Sequence, residues 1–419
     1  MVFLPEINIV RASGTIYIRS DGSVEGTDKI QRDGNIYTFT DNIYDEIDVE
    51  KDNIVVDGAG YAVQGTGSGT GRDLSIRDNV TIKNVEIQEF GEGIRLFYGS
   101  NNRIIGNNII NNDHGMYLFS SNNLLRSNSM DNNKYNFEVW GGPQFVNDVD
   151  DSNTVDGKPV YYWVNERDRT VPLDAGYVAL VSCTRITVQN LNLANNWQGI
   201  VLSHTTDSTI TKNHITDSYF GIRLEYSSKN RITGNHIANN QDGISLYDSS
   251  NNKIAENYIT NNEDGIDIYA SSNLNTVSGN TVTANNGHGI YFGESTANTV
   301  SRNNITNNPI GILFWLSSYN SIHHNNFINN PDHVFTNGPI NSWFIGSEGN
   351  YWDDYTGVDN DGDGIGDTPY FIDPGNEDSY PLINIIPEFP SWTPMLLILI
   401  LFTVATVIYK RRLLKTPSR

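Results

Sequence analysis

A single cysteine, Cys183, stands among 419 residues, so no intrachain disulfide can form. Rigidity must then come from a long apolar core. Cys183 closes the apolar run that starts at Val178 and reads as a small buried residue, not a reactive thiol. Basic side chains are scarce too: 27 Lys and Arg face 49 Asp and Glu, a formal net charge of −22. Phosphate recognition needs a basic face, so no nucleic acid is expected as a partner. Cations and neutral or basic glycans suit that charge, and the acidity alone keeps an exported protein soluble. Helical periodicity is missing as well. Asn, Gly, Ser, Thr and Asp crowd the chain, and these residues compete with helix backbone bonding and favour turns. Disorder is excluded in turn, because Ile and Val recur at fixed intervals.

Those intervals define a repeat. Gly-Ile or its equivalent falls at Gly93-Ile94, Gly115-Met116, Gly199-Ile200, Gly221-Ile222, Gly243-Ile244, Gly265-Ile266, Gly289-Ile290 and Gly311-Ile312. The spacing is about 22 residues, apart from one long interruption. Within the unit 235–256, Ile244 and Leu246 alternate with Ser245 and Tyr247, so one strand points its apolar residues inward. Ile237 and Ile254 supply two further short strands. No coil can bury its own apolar edge; stacking of coils creates the core. Asn recurs at one corner, at 107, 128, 213, 235, 257, 280, 303 and 325, where stacked amides form a ladder and Asn tolerates the left-handed corner conformation. The expected fold is all-β, a right-handed parallel β-helix of the pectin-lyase-like kind.

The boundaries follow. An N-terminal cap covers 1–44, coils cover 45–135, an aromatic insertion covers 136–182, and coils resume over 183–340. A C-terminal cap covers 341–386, and an anchor covers 387–419. The coils resemble the NosD-like parallel β-helix family, also described as carbohydrate-binding and sugar-hydrolase repeats. The opening turn Asn53–Tyr61 and the block Gly349–Tyr355 fit that resemblance. Its founding member is a periplasmic protein linked to copper-site maturation of a reductase. Four Met, eight His and one Cys without His-x-His or Met-x-x-Met spacing offer no apparent copper site here.

Outward positions of the Gly-Ile strand are where chemistry is expected. Arg95, Arg223, Glu225, Tyr247, Tyr269 and Trp315 combine ring faces with charged edges, which suits sugars. Asp242, Asp264 and Asp267 lie within two coils, a spacing that allows paired-carboxylate glycoside hydrolysis. With them His288, in Gly287-His288-Gly289, resembles a polygalacturonase motif, although that family's other acidic segments are missing. A separate run, Asp359-Asn-Asp361-Gly-Asp363-Gly-Ile365-Gly-Asp367, places oxygens at alternate positions before glycine. That is the opening of a Ca²⁺ loop, with Ile365 contributing its carbonyl.

Thr393 to Tyr409 is an uncharged apolar run. Seventeen residues at ~1.5 Å span about 25 Å, near the short limit for a transmembrane helix. Lys410, Arg411 and Arg412 follow and mark the cytoplasmic side. The preceding Pro387-Glu388-Phe389 resembles the sorting signal of archaeal surface proteins. The N-terminus lacks a basic region and long apolar stretch, so the start reads as misassigned or truncated. The sequence favours a surface-anchored glycan binder or envelope component over a polysaccharide hydrolase, lyase or epimerase, and ranks a metalloenzyme-assembly factor last.

Overall fold

Forty-five short strands and no helix make up the computed structural model, which describes residues 14–140, 146–337 and 340–387. They wind into a right-handed solenoid of about 14 turns. Within the described residues no helix is long and apolar enough to cross a membrane. The expected span 393–409, its basic tail and the first residues lie outside the described residues.

One coil shows why the sequence winds this way. Its strands are His236–Ala238, Asp242–Tyr247 and Lys253–Ala255. Ile237, Ile244 and Ile254 pair in parallel with Ile259, Ile266 and Val277 of the next coil, and all six are buried. Gly243 permits that approach: a Cβ there would stand 2.5 Å from the Gly265 carbonyl oxygen. Asn257 accepts from the Asn235 backbone N–H (3.0 Å) and side-chain amide (2.9 Å), then donates to Asn280 (2.9 Å) and to the Ile232 carbonyl (3.0 Å). Every polar atom of this buried amide is therefore used, which removes the cost of burying it. The ladder ends on Asp378, a buried carboxylate that accepts from the Asn350 backbone (2.7 Å) and Trp352 (3.0 Å). The left-handed corner conformation falls one residue earlier than expected, on Lys212, Gly234, Glu256, Gly279, Arg302 and His324. A ladder asparagine must keep its side chain turned into the stack, so its predecessor makes the corner.

The stretch 136–182 does more than interrupt the repeat. Thr154–Val155 turns back antiparallel onto Lys158–Val164, which pairs in parallel with Tyr177–Val181 and so with Gln198–Ser203. The result is one continuous fourteen-stranded sheet that changes its buried face. Along Tyr177–Val181, Tyr177, Ala179 and Val181 join one apolar core, while Val178 and Leu180 join a second. Gly-Ile strands before this switch lie on a separate seven-stranded sheet. The outward positions expected from the sequence therefore divide: Arg95 stands on one sheet, where Phe97 and Phe119 also lie, and Arg223, Glu225, Tyr247, Tyr269 and Trp315 stand on the other.

Candidate functional site

On the fourteen-stranded sheet, strands Phe220–Glu225, Asp242–Tyr247, Asp264–Tyr269 and His288–Gly293 lie side by side. Inward Ile and Leu anchor each strand, so the alternate residues must face outward. Parallel register sets Asp242 beside Asp264, and Ser245 beside Asp267. One oxygen each from Asp242, Asp264 and Asp267 lies within 4.8 Å of the others. His288, one coil on, sits at 2.7 Å from Asp264 Oδ1 through Nδ1, and its backbone N–H donates to the same oxygen at 2.7 Å.

The three carboxyls are not equivalent. Asp267 is only 9 % exposed and its Oδ1 has no hydrogen-bond partner. Burial, then the nearby Asp242, pushes its carboxyl well above the ordinary range. Asp242 is half-buried; burial, then Asp264, raises its carboxyl to about 7. Hydrogen bonding to Asp264 raises His288 against the opposing effect of burial. A carboxyl raised by burial and a neighbouring carboxylate, set beside a histidine–carboxylate pair, is the kind of group that serves as a general acid.

Arg223 fixes the neighbouring wall. It is 3 % exposed and donates to Ser245 Oγ (2.6 Å), Tyr269 Oη (2.5 Å) and Glu225 (3.2 Å). Phe220 lies 4.7 Å and Tyr247 5.6 Å from the guanidinium carbon. The structure thus gathers Asp242, Asp264, Asp267, His288, Arg223, Glu225, Tyr247 and Tyr269 on one face. Trp315 is 48 % exposed, two strands beyond Tyr269. Arg95 stands on the other sheet beside Glu92 (3.6 Å). Sequence reasoning missed Trp197 and Tyr219, which stack at 4.0 Å in the two coils before Asp242. Their signal was present in the repeat: both occupy the position just before the strand-start column that carries Asp242.

Two groups of oxygens can hold a hard cation. One is the triad just described. The other is Asp359, Asp361 and Asp363, also within 4.8 Å of one another. In that loop Asp359 accepts from the Gly362 (2.7 Å) and Gly364 (2.9 Å) amides, and the Gly364 amide leads in holding its carboxyl below the usual range. Ile365 donates its N–H to Asp363 (2.8 Å), and Asp367 turns to Asn360 (2.9 Å).

This geometry defines a parallel β-helix carrying three carboxylates and a histidine together on one sheet. The chain belongs to the NosD family, described as periplasmic copper-binding proteins, whose profile matches residues 84–266 and 152–357. No curated protein matches the chain. Among solved structures, the chain is similar to the periplasmic alginate epimerase AlgG at 13 % identity and TM-score 0.35, over 80 % of this chain and 82 % of that one. It is similar to the A-module of the Azotobacter vinelandii mannuronan C-5 epimerase AlgE4 at 13 % identity and TM-score 0.32, over 80 % and 91 %. The Dettilon tailspike protein matches at 15 % identity and TM-score 0.35, over 72 % and 61 %.

Among the described residues no group of three metal-ligating side chains is soft or rich in nitrogen, as copper prefers. Met116 and Met130 are sealed in the first core, and the buried Cys183 points at the Trp163 carbonyl (3.3 Å). The histidine-containing group, His333 with Asp353 and Asp354, offers one nitrogen and two hard oxygens. Soft or nitrogen-rich sets are what select copper.

Proposed function

We propose that the chain is a glycan-active β-helix whose carboxylate cluster hydrolyses glycosidic bonds. The observation that carries this is Asp242, a half-buried carboxyl raised to about 7, with an oxygen within 4.8 Å of one on Asp264, which His288 holds. Asp242 is the acid that protonates the departing glycosidic oxygen. Asp264, oriented by both His288 contacts, attacks the anomeric carbon as that oxygen leaves with the Asp242 proton, and water, deprotonated by Asp242, then cleaves the glycosyl ester, a two-step route that fits carboxyls this close. Asp267 is too deeply buried to meet substrate; burial, then the neighbouring Asp264, keeps the proton on Asp242. Arg223 positions Tyr269 and Glu225 as a polar wall. Burial and charge favour turnover over the pure binding that the sequence alone suggests, because a simple binding surface has no need of three crowded acids.

The test is release of reducing ends from a panel of polysaccharides, with Asp242→Asn and Asp264→Asn as controls. Turnover that both substitutions abolish supports hydrolysis. Retention on glycan without turnover returns the chain to the binding reading. Loss of activity in EDTA would instead assign the triad to a cation.

Two peripheral readings complete the proposal. The family description favours a location outside the cytoplasm, and the Pro-Glu-Phe motif with its apolar run supports a surface tether at the C-terminus; fractionation with a C-terminal tag tests both. The loop 359–367 binds Ca²⁺ and fixes the C-terminal cap. Calorimetric titration of Ca²⁺ into the chain and into Asp361→Asn tests that.

A further inference from the structure

We infer that the substrate is an uncharged oligosaccharide lying parallel to the solenoid axis, bound by a row of free amides beside the acid cluster. This rests on the hydrolytic reading for the position of the reacting bond but not for the chemistry of recognition. A groove of about 560 Å³ runs along the corner that precedes the acid-bearing strands, from Lys134 and Tyr135 past Asn195, Asn239 and Asn261 to Asn286. It crosses six layers, and five steps of ~4.8 Å give roughly 24 Å. That length suits a chain of several sugars. Gln241 and Glu263 line it, and each directly precedes one of the catalytic aspartates, Asp242 and Asp264.

The amides in this groove differ from those of the ladders. Asn240, Asn262 and Asn285 are buried and spend their amides on one another at 3.0 and 3.1 Å. Their neighbours Asn239, Gln241, Asn261 and Asn286 are exposed, and no hydrogen bond among the described residues engages their side chains. A free amide offers donors and acceptors together, which matches sugar hydroxyls. Charge points the same way. Lys134 is the groove's cation, at one end, against Asp217 and Glu263, and Asp264 follows Glu263 on the adjoining strand. The Arg223 guanidinium is already committed to Ser245, Tyr269 and Glu225. A polyuronate would lay one carboxylate per sugar against this acidic wall with little to neutralise it, and like charges in a partly desolvated site repel strongly. At the Lys134 end, Tyr135 meets Trp197 edge-on at 5.2 Å and Tyr219 at 6.3 Å. These rings provide a stacking surface for a distal sugar.

The experiment titrates the intact chain, and separately Asp242→Asn, with neutral di- and hexasaccharides from glucan, mannan and galactan and with hexauronates. The expected result is a neutral hexasaccharide bound at least about tenfold more tightly than its disaccharide, with no uronate binding. Asn239→Ala and Gln241→Ala each remove one hydrogen bond and weaken that binding roughly threefold to tenfold, raising KM while leaving kcat. Neutral binding by the Asp242→Asn chain, with no turnover by the natural chain, would refute hydrolysis and leave this inference standing. Uronate binding, equal affinity for the short and long neutral chains, or indifference to both amide substitutions would overturn it.

Discussion

The two solenoid segments share a repeat, a winding sense and an asparagine ladder, yet expose different chemistry. In the first, the outward strand carries a stack of rings: Phe97 lies 5.2 Å from Phe119 and 4.3 Å from Tyr98. A histidine–carboxylate pair exists there too, since His114 Nδ1 is 2.7 Å from Glu138. Glu138 is buried, however, held by the Trp140 indole (2.6 Å), and Trp197 covers His114 at 5.0 Å. The corresponding pair in the second segment, His288 with Asp264, stays half-exposed beside an open groove. The two pairs are also placed differently: Glu138 is in register with Tyr117, one coil after His114, whereas Asp264 stands at a strand start, one coil before His288; position and cover together decide which can meet a ligand. The two buried arginines repeat the lesson. Arg223 donates three hydrogen bonds on the outer face. Arg72 is 0 % exposed inside the first core, where Nε and one terminal nitrogen lack partners and burial lowers its ordinary value to about 9.

The largest expected effect tests that contrast directly. Asp242→Asn or Asp264→Asn should lower kcat by about a hundredfold or more, the usual worth of a general acid or base. Glu92→Gln at the matching strand start of the first segment should leave turnover unchanged. Ladder substitutions come next. Asn257→Ala orphans the Asn235 donors and opens a polar gap, for about 2–3 kcal/mol lost in urea unfolding. Asn128→Ala, whose amide bridges Asn107 and Asn153, should cost a similar amount in the first segment. Arg72→Met should go the other way and gain about 1–3 kcal/mol, because an uncompensated buried charge is replaced by an apolar chain of similar length. Arg223→Met should instead lower stability and release Tyr269, visible as a rise in KM.

A smaller effect separates the segments by pH. Asp242 binds its proton more tightly when folded than when unfolded, so its contribution to stability is complete below the ordinary value of 3.8. That contribution fades as pH rises through about 7, and Asp242→Asn should flatten this part of the stability profile. Smallest is the cap: EGTA should lower Tm by a few degrees, and Asp361→Asn should remove the response.

The sequence made the coil legible because every inward Ile and every ladder Asn recurs at a fixed offset. It also marked Asp242, Asp264, Asp267 and His288, since parallel stacking turns equal offsets into neighbours. The change of buried face was not legible, because 136–182 carries no repeat and Tyr177–Val181 is apolar at every position. Arg72 was hidden for a different reason: it pairs with Ile94, so it occupies an inward position where the pattern calls for an aliphatic residue. The groove amides escaped because exposed and ladder asparagines look alike in a polar corner. Only burial distinguishes Asn239 from Asn240.

The most direct test of the central claim is the pH–rate profile of reducing-end release on a neutral polysaccharide, for the natural chain and for Asp242→Asn. Hydrolysis by this cluster predicts a rate that falls as pH rises through about 7, as Asp242 loses its proton, and a variant with almost no rate at any pH. An Asp242→Asn chain that keeps both the rate and the falling limb would contradict the account.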